Sequence, residues 1–158
     1  TFERDTIDVA MLRGLLTAMA ESLAFQLRKG PKLTSCVAVK IRYADMNTHM
    51  RQLRIPYTAC DHKILPLVHD LFRLLYDRRQ RIRLVGVRFS HLVGGGHQMD
   101  AFTDTEEAMG LYQAMDKIRK RFGDRTVMRA AGMEAQSIGR MDNPFDGQAP
   151  VLLANRRA

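Results

Sequence analysis

The chain has 158 residues, 46% of them hydrophobic, and carries 25 Lys+Arg against 17 Asp+Glu. That is long and apolar enough for one domain with a core and some appended structure, and it excludes a disordered composition. No apolar run reaches the roughly 18 residues that a bilayer span requires. With no secretory leader legible either, the expectation is a cytoplasmic protein with no membrane partner and with Cys36 and Cys60 as free thiols. The chain starts at Thr1 with no initiator Met, which leads us to expect a fragment of something longer. The charge is uneven: residues 1–93 hold 16 Lys+Arg against 8 Asp+Glu, whereas residues 94–158 hold 9 of each. A compact basic part followed by a neutral one suggests a polyanionic partner, nucleic acid first among them.

Phe2 is the only strong apolar anchor before Asp8, so residues 1–5 read as the tail end of a first strand. Asp8 is a good N-cap, and Leu12, Leu15, Leu16, Met19, Leu23 and Leu27 recur at the spacing of one helical face. Gly30-Pro31 ends that helix. From Ser35 to Tyr43 the period drops to two, with Val37, Val39, Ile41 and Tyr43 facing inward and Ala38, Lys40 and Arg42 outward. Asp45-Met46-Asn47 supplies a turn. The return strand, Thr48 to Ile55, is expected to bury Leu53 and Ile55 and to expose Thr48, Met50, Gln52 and Arg54, with Pro56 ending the hairpin.

Asp61 is read as the cap of a second helix, whose stripe is Ile64, Leu65, Val68, Leu71, Phe72 and Leu75. A third strand runs from about Arg81 to Leu92. It directs Val85, Val87 and Phe89 to the core and Leu84, Gly86, Arg88 and Ser90 to the open side. Gly86 there leaves room for something to approach the backbone. Both helices must cover the one apolar face of the sheet, which gives an α+β domain with an open basic face. Gly94-Gly95-Gly96 is a break. Asp104-Thr105-Glu106-Glu107 then signals a capping box for a tail helix with the stripe Ala108, Leu111, Met115, Ile118 and Phe122.

Catalytic chemistry is not legible. Nucleotidyl transfer needs clustered carboxylates for two metal ions, and the acidic residues here are scattered over caps and turns. Cys36, His49, Cys60 and His62 fit no zinc spacing, and the triple glycine lacks the Lys and Ser/Thr of a phosphate-binding loop. No catalytic or metal residue is assigned.

Ile82-Arg83-Leu84-Val85-Gly86-Val87-Arg88-Phe89-Ser90-His91-Leu92 resembles the last strand of the little finger, or polymerase-associated, domain of Y-family translesion DNA polymerases of the DNA polymerase IV group. Thr1-Phe2 with Asp5 looks like the start of that domain, Val37 to Asp45 is similar to its second strand, and Asp116 to Gly123 is similar to a tail helix of many bacterial members. The resemblance implies a four-stranded, mainly antiparallel sheet with two helices packed on one face and a C-terminal helical tail. It also implies a chain cut at or inside the first strand. Residues 1–93 would be the DNA-binding little finger, 94–103 a hinge with a clamp-binding peptide, 104–123 a C-terminal helix, and 124–158 a flexible tail.

By that likeness the residues facing DNA are Lys40, Arg42, Thr48, Gln52, Arg54, Arg83, Arg88 and Ser90. The return strand matches at Thr48, Met50, Gln52 and Arg54, where members more often carry small hydroxyl residues. Arg83 matches a frequent family arginine, but alternation puts it on the other face, so it is expected at the strand's edge. Gln98, Met99, Asp100, Ala101 and Phe102 stand where the family carries its sliding-clamp peptide, with Met and Ala in place of two leucines. The implied partners are primer–template DNA, the sliding clamp, and the palm, fingers and thumb of a full-length bacterial enzyme working at the nucleoid. Mg2+ would sit in the palm, and this fragment alone would be inactive. The alternative is a free-standing adaptor for RNA or protein using the same open sheet; a catalytically dead paralogue is a third possibility. Sheet-type RNA binders stack bases on exposed aromatics, and the outward rows here carry none.

Overall fold

A computed structural model of the chain describes residues 2, 4–76, 79–94, 106–133 and 135. The elements in order are α1 (Val9–Lys29), β1 (Lys32–Tyr43), β2 (Thr48–Thr58), α2 (Asp61–Leu75), β3 (Ile82–Gly94), α3 (Glu106–Phe122) and α4 (Ala130–Met133). Asp8 caps α1 by accepting the Met11 N–H at 3.1 Å, and the Gly30 N–H closes it on the Gln26 carbonyl. Both ends therefore fall where Asp8 and Gly30 predict them.

The three strands are antiparallel in the order β2-β1-β3. The expected fourth strand is absent among the described residues. Its place is marked by the isolated bridge between Thr6 and Ile82 and by the Phe2 N–H bonded to the Arg83 carbonyl. A short N-terminal stretch thus lies along the far side of β3. α1 and α2 cover one face of the sheet and share a core with it, in which Leu12, Leu16, Val37, Val39, Ile41, Ile64, Val68 and Ile82 are fully or almost fully buried. The Tyr43 hydroxyl donates to the Leu75 carbonyl at 2.7 Å and ties β1 to the end of α2.

Four sequence expectations are corrected. Pro56 does not end the hairpin: β2 runs on to Thr58. Between the pairs Thr34↔Thr58 and Cys36↔Arg54, β2 spends four residues to two of β1, so Pro56 sits in a bulge on an edge strand, where its missing N–H breaks no ladder. Leu53 is 43% exposed, like most of the edge strand β2, while Ile55 is only partly buried against the core. Asp61 does not cap α2; Cys60 is the capping residue, and the buried Asp61 carboxylate pairs with Arg28.

The fourth correction concerns the C-terminal part. The apolar stripe of α3 lies largely in solvent, with Leu111, Ile118 and Phe122 59%, 40% and 65% exposed, and the buried side chains are Tyr112 and Arg119. Polar contacts dock this helix. Arg28 of α1 donates to both carboxylate oxygens of Asp116 (2.7 and 3.0 Å), to Asp61 (2.8 Å) and to the Ala59 carbonyl (2.8 Å), and it lies over the Tyr112 ring. Burial opposes its charge, but the hydrogen bonds and charges of Asp116 and Asp61 prevail and hold its pKa above the ordinary value. The Tyr112 hydroxyl accepts the His62 N–H at 2.9 Å. Arg119 donates twice to the Val127 carbonyl and stands 3.7 Å from Glu21 of α1, which also accepts the Arg129 N–H.

Residues 124–133 and 135, expected to belong to a flexible tail, thereby return to α1. A Cβ on Gly14 would lie 2.7 Å from the Ala131 carbonyl oxygen, and one on Gly132 would lie 3.4 Å from the Ala18 side chain. The mid-helix glycine that weakens α1 locally is the site of this close approach.

Candidate nucleic-acid interface

Strand registers decide which side chains share the open face. Cys36, Ala38, Lys40 and Arg42 of β1 stand opposite Arg54, Gln52, Met50 and Thr48 of β2, and opposite Ser90, Arg88, Gly86 and Leu84 of β3. The intervening row, with Val37, Val39, Ile41, Val85, Val87 and Phe89, turns to the helices. The period-two reading therefore assembles three strands correctly into one surface carrying Lys40, Arg42, Arg54 and Arg88 together with Thr48, Gln52 and Ser90.

Arg83 does not join them. β1 advances one residue from the pair Arg42↔Leu84 to the pair Tyr43↔Ile82 while β3 advances two, and Arg83 is the extra residue. Its guanidinium lies 3.9 Å from Asp5 on the N-terminal stretch, at the edge of the sheet. Arg51, by alternation, points to the helix side of β2, opposite Val39. Gln98, Met99, Asp100, Ala101 and Phe102 lie outside the described residues.

The open-face cations differ in their pairing from the arginines that tie elements of the fold together. Arg28, Arg73, Arg83, Arg119 and Arg129 each have a carboxylate partner. Among the described residues Lys40, Arg42, Arg54 and Arg88 have none. Arg42 is instead oriented by Thr48, whose hydroxyl accepts its Nε–H at 2.9 Å across the strand pair. This contact gives Thr48 a positioning role that its residue type alone does not reveal; the cross-strand pairing Arg42↔Thr48 is the signal that finds it.

In the middle of the surface lies a depression of about 460 Å³ lined by Ala38, Lys40, Thr48, Met50, Gly86 and Arg88. Its floor is open at Gly86, where a Cβ would meet nothing within 4 Å. Ala38 is buried beneath the longer side chains around it. The Ser90 hydroxyl is buried with no hydrogen-bond partner among the described residues. A second hollow, about 430 Å³ in volume, is lined by Leu33, Ala59, Cys60, Met109 and Tyr112 and belongs to the docking site of α3; it shares no residue with the depression. The surface can therefore take a chain of anions across all three strands, with no aromatic ring in its rows on which a base could stack.

A family model described as the impB/mucB/samB family C-terminal domain matches residues 1–101. The chain belongs to this family, the little finger domains of Y-family DNA polymerases. It is 33% identical over 129 residues to a DNA polymerase IV of Dehalococcoides mccartyi, a match covering 80% of this chain and 33% of that protein. It is 28% identical over 141 residues to DNA polymerase IV of Clostridium acetobutylicum, covering 86% of this chain and 35% of the relative. DNA polymerase IV 1 of Bacillus subtilis is 26% identical over 143 residues, with 86% and 34% covered. The chain thus spans about a third of the length of these relatives. The alignments extend beyond residue 101, so the little finger and part of the sequence that follows it are shared.

Proposed function

We propose that this little finger holds the primer–template duplex of a translesion DNA polymerase through the open sheet face, by its phosphates and without reading sequence. The observation that carries the reading is the set of four cations without carboxylate partners among the described residues, Lys40, Arg42, Arg54 and Arg88, gathered on one face across three strands. Phosphate contacts of this kind position a protein on DNA but carry no base information. Among the described residues no three His, Cys, Asp or Glu side chains come together in a metal-binding group. On this reading nucleotidyl transfer and its Mg2+ belong to a palm elsewhere in the polymerase, and the little finger supplies grip and placement. A clamp-recruiting role for Gln98 to Phe102 is part of the same proposal.

The test is a salt titration of binding to primer–template duplex. Each phosphate contact contributes about 0.9 to the slope of log affinity against log salt. Arg42→Ala with Arg88→Ala should lower the slope by about 1.8 and weaken binding equally on unrelated sequences. A folded double variant with an unchanged slope refutes the assignment. A preference for single-stranded RNA over duplex DNA in the parent chain would favour the adaptor reading instead.

A further inference from the structure

α3 is docked by one side only. Tyr112, Asp116 and Arg119 turn to the body of the protein, and the neighbouring side leaves Leu111, Ile118 and Phe122 in solvent. Among the described residues the chain buries this stripe against nothing of its own. The spacing has a specific form. Ala108, Met115 and Phe122 recur every seven residues, and Leu111 and Ile118 repeat the same interval between them, which is the seam of a two-helix coiled coil. Beside that seam, on the flank away from the body, stand Glu107, Ala114 and Arg121, again at intervals of seven and all exposed.

We propose that this face binds a second copy of the chain, the two α3 helices pairing antiparallel about a two-fold axis at Ala114. In that register Glu107 of each copy meets Arg121 of the other, and Ala114 meets Ala114 at the axis, where a small residue lets the helices close. Leu111 packs on Met115, and the small Ala108 faces the larger Ile118. A surface that pairs with itself about a two-fold axis must be self-complementary, and opposite charges placed symmetrically about a small residue meet that condition. A parallel pairing would set the Glu107, Ala114 and Arg121 flank against the partner's Tyr112 and Arg119 flank, which the body of the protein already occupies, so only the antiparallel pairing brings the two free flanks together. No carboxylate pairs with Arg121 among the described residues, and its guanidinium lies over the ring of Phe122 at the rim of the same seam. The docked flank, with Arg28, Asp61 and Asp116, stays as it is.

A helix of 17 residues buries less than a standard interface. The dimer should therefore be weak, with a dissociation constant on the order of 10–100 μM. Sedimentation equilibrium of the full chain across that range reads it directly. Glu107→Arg and Arg121→Glu, each placing like charges together twice, should weaken association by about tenfold. The chain carrying both changes should recover to within about threefold of the parent. Both changes oppose the helix dipole, so recovery in the double variant cannot come from a steadier helix. Ile118→Asp, at an exposed position that leaves the fold untouched, should give a monomer throughout. A parent chain that is monomeric at about 1 mM overturns the proposal. So do single charge variants that associate like the parent, or a double variant that stays as weak as the singles.

Discussion

Replacing Arg28 by Met tests what holds the C-terminal part on the little finger. Arg28 is only 12% exposed in its side chain and ties Asp61, 0% exposed, to Asp116, 13% exposed. Met keeps the length of the stem but leaves both carboxylates without the guanidinium, and one oxygen of Asp61 has no partner even now. Breaking a buried pair in this way costs about 3–5 kcal/mol. Against a total stability of about 5–15 kcal/mol this is a large share. Unfolding in urea, followed by far-ultraviolet circular dichroism, should show the loss, and the melting temperature should fall by on the order of 10 °C. Hydrogen exchange over Glu106–Phe122 then separates local release of α3 from loss of the whole fold. The internal control is Arg73→Ala: its partner Asp70 is 61% exposed and Arg73 itself 78%, so that pair should contribute less than about 0.5 kcal/mol. An Arg28→Met chain within about 1 kcal/mol of the parent refutes the argument, because the pair would then be no more than a surface contact.

Other outcomes follow from single positions. Gly86→Leu meets open space and should fold with unchanged stability, yet it fills the floor of the depression; duplex binding measured by fluorescence anisotropy should weaken several-fold, and unchanged affinity would show that the floor is not used. Burial pushes the Glu21 carboxyl above its ordinary range; the Arg129 N–H opposes this, Asp61 adds to it, and the charges of Arg119 and Arg129 oppose it. The folded state therefore binds the proton more tightly than the unfolded chain, so this group's contribution is present below its ordinary range and falls as pH rises through the raised value. Glu21→Gln removes that slope, and urea midpoints taken from pH 4.5 upward should lose the corresponding part of their decline relative to the parent. For Gln98 to Phe102, Ala101→Leu should tighten binding to the sliding clamp in a pull-down or calorimetric titration, whereas Gln98→Ala with Phe102→Ala should abolish it without lowering DNA affinity.

Alternation and helical spacing were enough to read α1, β1 and the open face, because each of those is set by residues adjacent in sequence. Asp8 and Gly30 bound α1 for local reasons, and the outward row of β1 and β3 follows from period two whatever the partner. Two kinds of feature escaped. The first is burial decided at long range: the apolar stripe of α3 does not mark the side that docks, because Arg28, 88 residues before Asp116, partners its polar side. The same pairing takes Asp61 from capping duty. The second is irregular backbone. The bulge around Pro56, the bulge that sends Arg83 to Asp5, and the return of residues 124–133 across Gly14 leave no periodic trace, since each depends on where another strand or helix passes. Thr48 as the partner of Arg42 falls between the two kinds: the hairpin register fixes it, and only the register shows it.

The sheet's two edges are guarded by different means, and that asymmetry bears on how the domain behaves in solution. On the β3 side the stretch through Phe2 and Thr6 occupies backbone groups that would otherwise invite a foreign strand. On the β2 side nothing among the described residues covers an 11-residue strand, which is defended only by the Pro56 bulge and by the repulsion of Arg51 and Arg54. Salt that screens those charges, or trimming that frees the β3 edge, should therefore promote edge-to-edge stacking of the domain. For anyone expressing the domain by itself, the first few residues are a cover for β3 and should be kept.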